Sequence, residues 1–450
     1  MKVGFISLGC SKNLVDTEMM IGLFKNKKYE IVNNPKIADI IVINTCGFIE
    51  TAKEEAINTI LEMAEYKKTE NGNCKILIAT GCLVERYKEE LVKALPEVDI
   101  FLKYSDYAES TGNSNKVFEK VFSEIEKKKI KNDENLQFTD RIISTGENYA
   151  YLRIAEGCSN RCTYCAIPYI RGAFVSRKIE DILQEAKLLV KSGRKELILI
   201  AQDTSKYGID IYGEPKLAEL LEKLCKIDEL KWIRFLYTYP ETITDELIKV
   251  VKENNKICKY FDIPIQHISD KVLKRMNRKT TSKDIENTIQ KLRSNIPDVI
   301  IRTTVMVGFP GETQEDFEQL YDFVKKEKFD KLGAFMYSKE EGTPAARIKE
   351  QVHPMTKKSR YNKIMKLQQQ ISNENEKKNI GKELEILVEQ ITPDKKYLIG
   401  RSYMEVPDID GLAYIKNDSD IKLSDVIGKY LKCKIVDTKD YDIICEKILQ

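Results

Sequence analysis

Short apolar runs alternate with amphipathic stretches through the first hundred residues. "KVGFISL", "ADIIVINT" and "CKILIAT" are almost wholly apolar and read as strands buried on both faces. "VDTEMMIGLFKN" and "TAKEEAINTILEMAEYKK" read as the helices between them. Strands that alternate with helices predict a parallel α/β domain, placed at residues 1–117. Residues 118–143 are polar and read as a linker, with some helix in "VFEKVFSEIEKKK". The alternation then restarts. "YAYLRIA", "ELILIA", "WIRFLYT", "YFDIPI", "VIIRTTVMV" and "KLGAFMYS" predict six strand–helix units, a partial (β/α)6 barrel over 144–375. In "SRKIEDILQEAKLLVKSG", Ser176 is a candidate N-cap and Gly193 a candidate C′ residue. "KKSRYNKIMKLQQQISNENEKK" is the helix that closes this region. From 376 to 450 the pattern changes to short strands, "ELEILVEQ", "YLIGRSYM", "GLAYIK" and "YLKCKIVDTKDYDIICEKI", split by turns. These fit a small antiparallel β-barrel of OB-like type. The fold class is α/β with three parts.

Composition narrows the function. The 450 residues carry 74 Lys+Arg against 71 Asp+Glu, a net charge of +3, which is no footprint of a dedicated nucleic-acid binder. No apolar run approaches the ~18 residues of a membrane span. "MKVGFISLGC" lacks the charged and long apolar parts of a signal peptide, so the expected location is cytoplasmic, where thiols stay reduced. Eleven cysteines in that setting point to metal or catalysis. With only two histidines, His267 and His353, histidine-based zinc sites and a Ser–His–Asp triad are disfavoured.

"EGCSNRCTYCAIPYIRG" spaces Cys158, Cys162 and Cys165 as C-x₃-C-x₂-C. Chance and zinc are the competing readings. Structural zinc, however, closes with four ligands, and the next cysteine in sequence is Cys225. An iron–sulfur cluster held by three thiolates leaves one iron open to a non-protein ligand. The motif also follows the first barrel strand, at the end where such folds place their ligands. Cys10, Cys46 and Cys82 each follow a predicted parallel strand and each has a glycine beside it, Gly9, Gly47 and Gly81. Singly, each reads as a small buried hydrophobe. Together, at one edge of one sheet, they read as a second three-thiolate site. Cys74, Cys225, Cys258, Cys433 and Cys445 show no such pattern and read as structural.

The C-x₃-C-x₂-C motif on a six-unit barrel resembles the radical S-adenosylmethionine (SAM) enzymes, with Tyr164 in the aromatic position before the last cysteine. Two three-cysteine sites followed by a small β-barrel of TRAM type resemble the methylthiotransferase family along essentially the whole chain. "SLGCSKNLVDTE", "AQDTSKYG" and "RSYMEVPDIDG" resemble the branch that modifies an aspartate β-carbon of small-subunit ribosomal protein twelve (RimO-type) more than the transfer-RNA branch (MiaB-type). The resemblance implies two four-iron, four-sulfur (4Fe-4S) clusters. One sits on Cys158, Cys162 and Cys165, where SAM is cleaved; the other, on Cys10, Cys46 and Cys82, carries the sulfur. It implies SAM as cosubstrate, with Tyr164, Gln266, Arg302 and Gly308 as SAM-site candidates. Its implied partners are the ribosomal protein or the assembled small subunit, an electron donor such as flavodoxin or ferredoxin, and a sulfur donor. No membrane is involved, and a monomer is expected. A transfer-RNA adenosine methylthiotransferase and a non-catalytic electron carrier are the alternative functions.

Weaker signals keep two readings each. Gly308 and Gly311 in "MVGFPGET" mark either a tight turn or a SAM contact, with Thr313 and Asp316 as a capping pair. Arg302 is a charge inside an apolar strand, which is costly unless paired. Gln266 and His267 end one strand, Gln202 and Asp203 another; His267 is either a proton-transfer group or a satisfied structural histidine. Residues 376–450 hold 13 basic and 15 acidic residues, a net −2, which suits a basic protein partner better than RNA. "EVPDIDG" reads as an exposed turn offering Glu405, Asp408 and Asp410 to that partner. Lys357, Lys358, Arg360, Lys363 and Lys366 read as a basic helix face, either solvated or facing RNA.

Overall fold

The computed structural model describes residues 1–68, 70–107, 121–122, 125, 141–417 and 426–448. The boundary expected at 117/118 and most of the expected linker and its helix lie outside these residues. Val121 and Phe122 are described and pack beside Phe24, whose ring centroid is 4.9 Å from that of Phe122.

The N-terminal sheet is fully parallel: β1 (Lys2–Ser7), β2 (Glu30–Val32), β3 (Ile40–Thr45), β4 (Ile76–Gly81) and β5 (Ile100–Lys103), in the order β2-β1-β3-β4-β5. Every residue of β3 is buried, as a strand covered on both faces requires. The apolar runs predicted the three central strands. The edges β2 and β5 are short and only half-buried, so their sequences carry little pattern. The crossover helices are α1 (Ser11–Asn26), α2 (Glu50–Ala64) and α3 (Cys82–Ala94).

The second part carries β6 (Tyr149–Arg153), a short ribbon of β7 (Ala155–Glu156) and β8 (Val175–Ser176), then β9 (Glu196–Ile200), β10 (Trp232–Phe235), β11 (Tyr260–Asp262), β12 (Ile300–Val307) and β13 (Lys331–Met336). All but the ribbon form two parallel three-stranded sheets, joined by a bridge between Ile233 and Ile257. The strands thus follow one another in chain order around an open, six-stranded partial barrel. Gly193 (φ +100°) is the C′ residue of the helix Ile179–Lys191 as expected, but Ser176 is not its N-cap. Ser176 lies in β8, where its hydroxyl accepts from Gly208 N, and Lys178 precedes the helix. Thr313 and Asp316 do form a capping box. The closing helix, Pro354–Asn379, runs through the expected boundary at 375/376.

The C-terminal part is a closed barrel of β14 (Glu383–Ile391), β15 (Tyr397–Arg401), β16 (Ala413–Lys416), β17 (Tyr430–Lys439) and β18 (Asp442–Lys447). It is antiparallel except that β16 pairs β18 in parallel. Cys433 and Cys445 are fully buried in its core.

Both smaller parts clamp the open barrel. The C-terminal barrel covers the ends where its strands begin. Glu196, at the start of β9, is buried between Arg234 and Arg401, each at 2.9 Å. "EVPDIDG" belongs to this contact: Glu405 is buried and not exposed as expected, Asp410 is half-buried, and Asp408 keeps the expected exposure. Glu405 is 1% exposed and accepts from Ser402 N at 2.8 Å, while Asp408 and Asp410 accept from Tyr149 and Tyr260 hydroxyls, both at 2.7 Å. At the other end α1 enters the barrel mouth. Its Val15 and Met19 pack with Tyr151, Ile200 and Leu236. Eleven of its residues are buried, among them Lys12, Asn13, Asp16, Thr17 and Glu18. A helix covered on two sides has no solvent face, so its polar residues meet protein instead of water.

Candidate active site

The barrel thiols stand on the loop that follows β6. The β7/β8 ribbon closes its neck, and Cys158 N donates to Gly172 O at 3.1 Å inside it. Gly157 (φ +71°) turns the chain into the loop, where a Cβ would lie 2.0 Å from Ala173 O. That position takes only glycine. Thr163 pins the loop's far side, its N donating to Met276 O and its hydroxyl to Arg275 O. Burial raises the Cys158 thiol, and Cys162 raises it further; burial and the neighbouring thiols push Cys165 up to about 12. These two thiols hold their protons near neutrality unless a cation is bound. Tyr239 places its hydroxyl 3.9 Å from Cys162 Sγ.

The N-terminal thiols sit at three successive strand ends. Cys10 caps α1, Cys46 follows β3, and Cys82 opens α3. Their side chains sense one another: burial raises Cys46 and lifts Cys82 to about 12, and Cys10 pushes both up. Glycine is required for this convergence. A Cβ on Gly9 would lie 2.8 Å from Cys46 Cβ, and one on Gly47 would lie 2.7 Å from Leu83 Cα, at the start of α3. Among the described residues no group of three or more His, Cys, Asp or Glu side chains is gathered tightly enough for a single metal ion. A four-iron cube spreads its three thiolates wider than one zinc ion does.

The two sets meet across one interface. Cys82 packs against Ala166, the neighbour of Cys165, and against Ile170. Arg171 crosses the same interface, placing Nη2 3.7 Å from Cys82 Sγ and 2.6 Å from Asn13 Oδ1. It pairs with Asp16 at 2.8 Å and Glu156 at 3.4 Å, and stacks over Tyr104. Arg153 pairs with the same two carboxylates. Burial opposes the charge on Glu156, but Arg171 and Arg153 hold its carboxyl below the usual range.

Comparisons with known proteins give the family and its three domains. The radical SAM superfamily matches residues 152–324, the uncharacterized protein family UPF0004 residues 2–103, and the TRAM domain residues 380–448. The ribosomal protein uS12 methylthiotransferase RimO of Alkaliphilus oremlandii is 58% identical over 99% of both chains. That of Acetivibrio thermocellus is 49% identical over 99% of this chain and 98% of its own. The chain belongs to the ribosomal protein uS12 methylthiotransferase family.

Within the uS12 methylthiotransferase chain, fold similarity reaches beyond close relatives. The radical SAM methyltransferase TsrM of Kitasatospora setae, a structure with cobalamin and a 4Fe-4S cluster, aligns at TM-score 0.54 and 13% identity over 76% of each chain. This likeness bears on fold alone. No described helix is long and apolar enough to cross a membrane.

The four SAM-site candidates lie at different depths. Tyr164 packs edge-on to Phe309, 6.4 Å between centroids, beside the thiol loop. Gln266 has φ +68°, a left-handed conformation costly for any residue but glycine, and bridges to Val305 at the mouth of the barrel. Gly308 N donates to Glu312 at 2.6 Å, and a Cβ there would lie 2.3 Å from Lys357 Cγ. It forms a tight turn around Glu312. Arg302 is not brought to the thiols. Its guanidinium pairs with Asp262 at 2.9 Å, and its Nε lies 3.8 Å from Asp410 of the C-terminal barrel. The charge that looked costly in the sequence is thus paired. Asp262 also accepts from Tyr237 N at 3.0 Å, which links Arg302 to the mouth indirectly.

Other expectations resolve similarly. Gln202 donates to Glu156 at 2.9 Å, and Asp203 accepts from Asn160 at 2.8 Å. His267 is fully buried, and its Nδ1 accepts from Ser269 N. Arg360 belongs to no solvated face, being buried against Glu312 at 2.7 Å. The residues that sequence reasoning missed are Lys12, Asp16, Glu156 and Arg171. Their signal was present: charges inside or beside the two cysteine motifs.

Proposed function

We propose that the chain is a radical SAM methylthiotransferase that places a methylthio group on the β-carbon of an aspartate of ribosomal protein uS12. The observation that carries this reading is the meeting of two three-thiol sets across one interface, joined by Arg171. Cys158, Cys162 and Cys165 would hold one 4Fe-4S cluster, and Cys10, Cys46 and Cys82 the other. When bound, the first supplies the electron that cleaves SAM and so the power to take hydrogen from an unactivated carbon, while the second supplies the sulfur site. The β-carbon is a poor acid and a poor electrophile, so polar catalysis has little purchase on it. The chain's own residues hold and shield: the β7/β8 ribbon and Gly157 shape the thiol loop, and α1 closes the mouth against water. An electron donor such as flavodoxin or ferredoxin and a separate sulfur donor complete the reaction.

The test is anaerobic reconstitution with SAM, reductant and sulfide, supplied separately with uS12 and with transfer RNA, followed by mass spectrometry of both. Methylthio-aspartate in uS12 is expected. Methylthio-adenosine in the RNA with unmodified uS12 would overturn the substrate assignment.

A further inference from the structure

We propose that Lys12 holds the side-chain carboxylate of the substrate aspartate between the two thiol sets. This rests on the reading above and names the group that makes it specific.

Lys12 is only 7% exposed, yet among the described residues no carboxylate stands within 4 Å of its Nζ. Six other buried bases are treated differently. Arg153, Arg171, Arg234, Arg360, Arg401 and Lys331 each have an acid at ion-pair distance. The contact given to Lys12 is the face of Tyr237, with Nζ 3.1 Å from the ring centroid. A cation–π contact offsets part of the cost of burying an ammonium, but it leaves the charge without a counterion. A buried cation held open in this way is a site for an anion.

Its surroundings say which anion. Lys12 lies two residues beyond Cys10, in the first turn of α1. Tyr237 follows β10 at the end of the barrel where the thiols stand. Its φ is +64°, with its N bound by Asp262 and its O accepting from Thr204 N. Both anchors fix the ring under the ammonium. Two residues on, Tyr239 reaches Cys162 Sγ. One short loop therefore touches Lys12 beside the first thiol set and Cys162 in the second. Arg278, the other buried base without an acid among the described residues, stacks over Tyr239 and gives Nη2 to Pro264 O, on the barrel-thiol side. Lys12 is the cation on the Cys10 side. An aspartate carboxylate seated on it holds the β-carbon one bond away, facing the gap between the sets. Such fixing of the reacting carbon converts loose encounter into aligned attack. A nucleobase offers no carboxylate to the same cation.

The test is a binding cycle under non-reducing anaerobic conditions, where no turnover occurs. Reconstituted enzyme with SAM is titrated with uS12 and with uS12 whose target aspartate is changed to asparagine. Wild type is expected to prefer the aspartate form by about tenfold or more, since removing one partner of a buried charge pair weakens binding strongly. Lys12→Met should bind both forms within about twofold, and Lys12→Arg should regain part of the preference. Iron content and melting temperature identify a variant that fails to fold; Lys12→Gln then replaces Lys12→Met. An undiminished aspartate preference in Lys12→Met or Lys12→Gln overturns the assignment. So does a loss of SAM affinity with the preference intact, which would give the cation to SAM. No binding of uS12 by wild type would overturn the proposed function itself.

Discussion

Arg171, on the segment behind the barrel thiols, lies 3.7 Å from the sulfur of Cys82 in the other half of the molecule. Its side chain is buried, and its other contacts are Asp16, Glu156, Asn13 and the ring of Tyr104. Removing it leaves Asp16 and Glu156 with Arg153 as their remaining cation, while Gln202 and Gly157 N still donate to Glu156. Loss of one member of a buried ion network costs about 3–5 kcal/mol, because the remaining charges stay desolvated. Arg171→Met should therefore lower chemical-denaturation stability by about that amount, and Arg171→Lys by less, since the charge is kept although an ammonium cannot reproduce the fork. Wild-type stability in Arg171→Met would show that the interface does not depend on this residue.

Iron content separates the two thiol sets. Reconstituted protein should hold about eight irons if both sets carry four-iron clusters. Replacing Cys158, Cys162 and Cys165 by alanine should halve this and abolish SAM cleavage. Replacing Cys10, Cys46 and Cys82 should also halve it, yet leave 5′-deoxyadenosine formation and remove the methylthio product. Eight irons in either triple variant would dissolve the assignment of that set.

His267 and Glu312 impose opposite pH dependences at one buried spot, 3.8 Å apart. Burial drops the imidazole from 6.5 to about 3. Between these values the unfolded chain binds the extra proton, so stability rises with pH. Burial pushes Glu312 from 4.5 up to about 6, against the opposing pull of Arg360. There the folded chain binds the extra proton, so this group's contribution falls as pH rises. The histidine window is the wider, and the pair together favours neutral over acid pH. His267→Gln keeps an acceptor for Ser269 N and removes the rising part. Unfolding free energies from urea titrations between pH 4 and 7 should climb less steeply in the variant, by up to about 1.4 kcal/mol per pH unit. Parallel curves would mean that the imidazole titrates in the folded chain as it does in the unfolded one.

Several features were legible in the sequence for one physical reason. A parallel strand covered on both faces must be apolar throughout, and its end must carry the ligands. That put the central strands and all six cysteines at strand ends on view. The half-buried edges β2 and β5 escaped because they lack that constraint. The polar residues of α1 escaped because periodicity assumes one wet face, and α1 has none. The same assumption hid the burial of Glu405 in "EVPDIDG". Nothing local shows that Tyr149 and Tyr260, more than a hundred residues earlier, arrive to bind its carboxylates.

Asp410 consequently acts in holding two barrels together, and Asp408 joins it from an exposed position. Asp410 accepts from Tyr260 OH and from Val406 N, and lies 3.8 Å from Arg302 Nε. An amide at this position keeps an acceptor but loses the charge that faces Arg302. Asp410→Asn should lower stability by about 1–3 kcal/mol, the range for hydrogen bonds to charged groups and for desolvated groups left poorly paired. Tyr260→Phe should cost about 1 kcal/mol, the ordinary net value of one hydrogen bond. The double variant should cost less than the sum, because both weaken the same contact. The association rate of uS12 should keep its wild-type salt dependence in all three, since rim charges, not buried ones, govern that slope. A flattened salt dependence in Asp410→Asn, with stability unchanged, would return this turn to the docking surface.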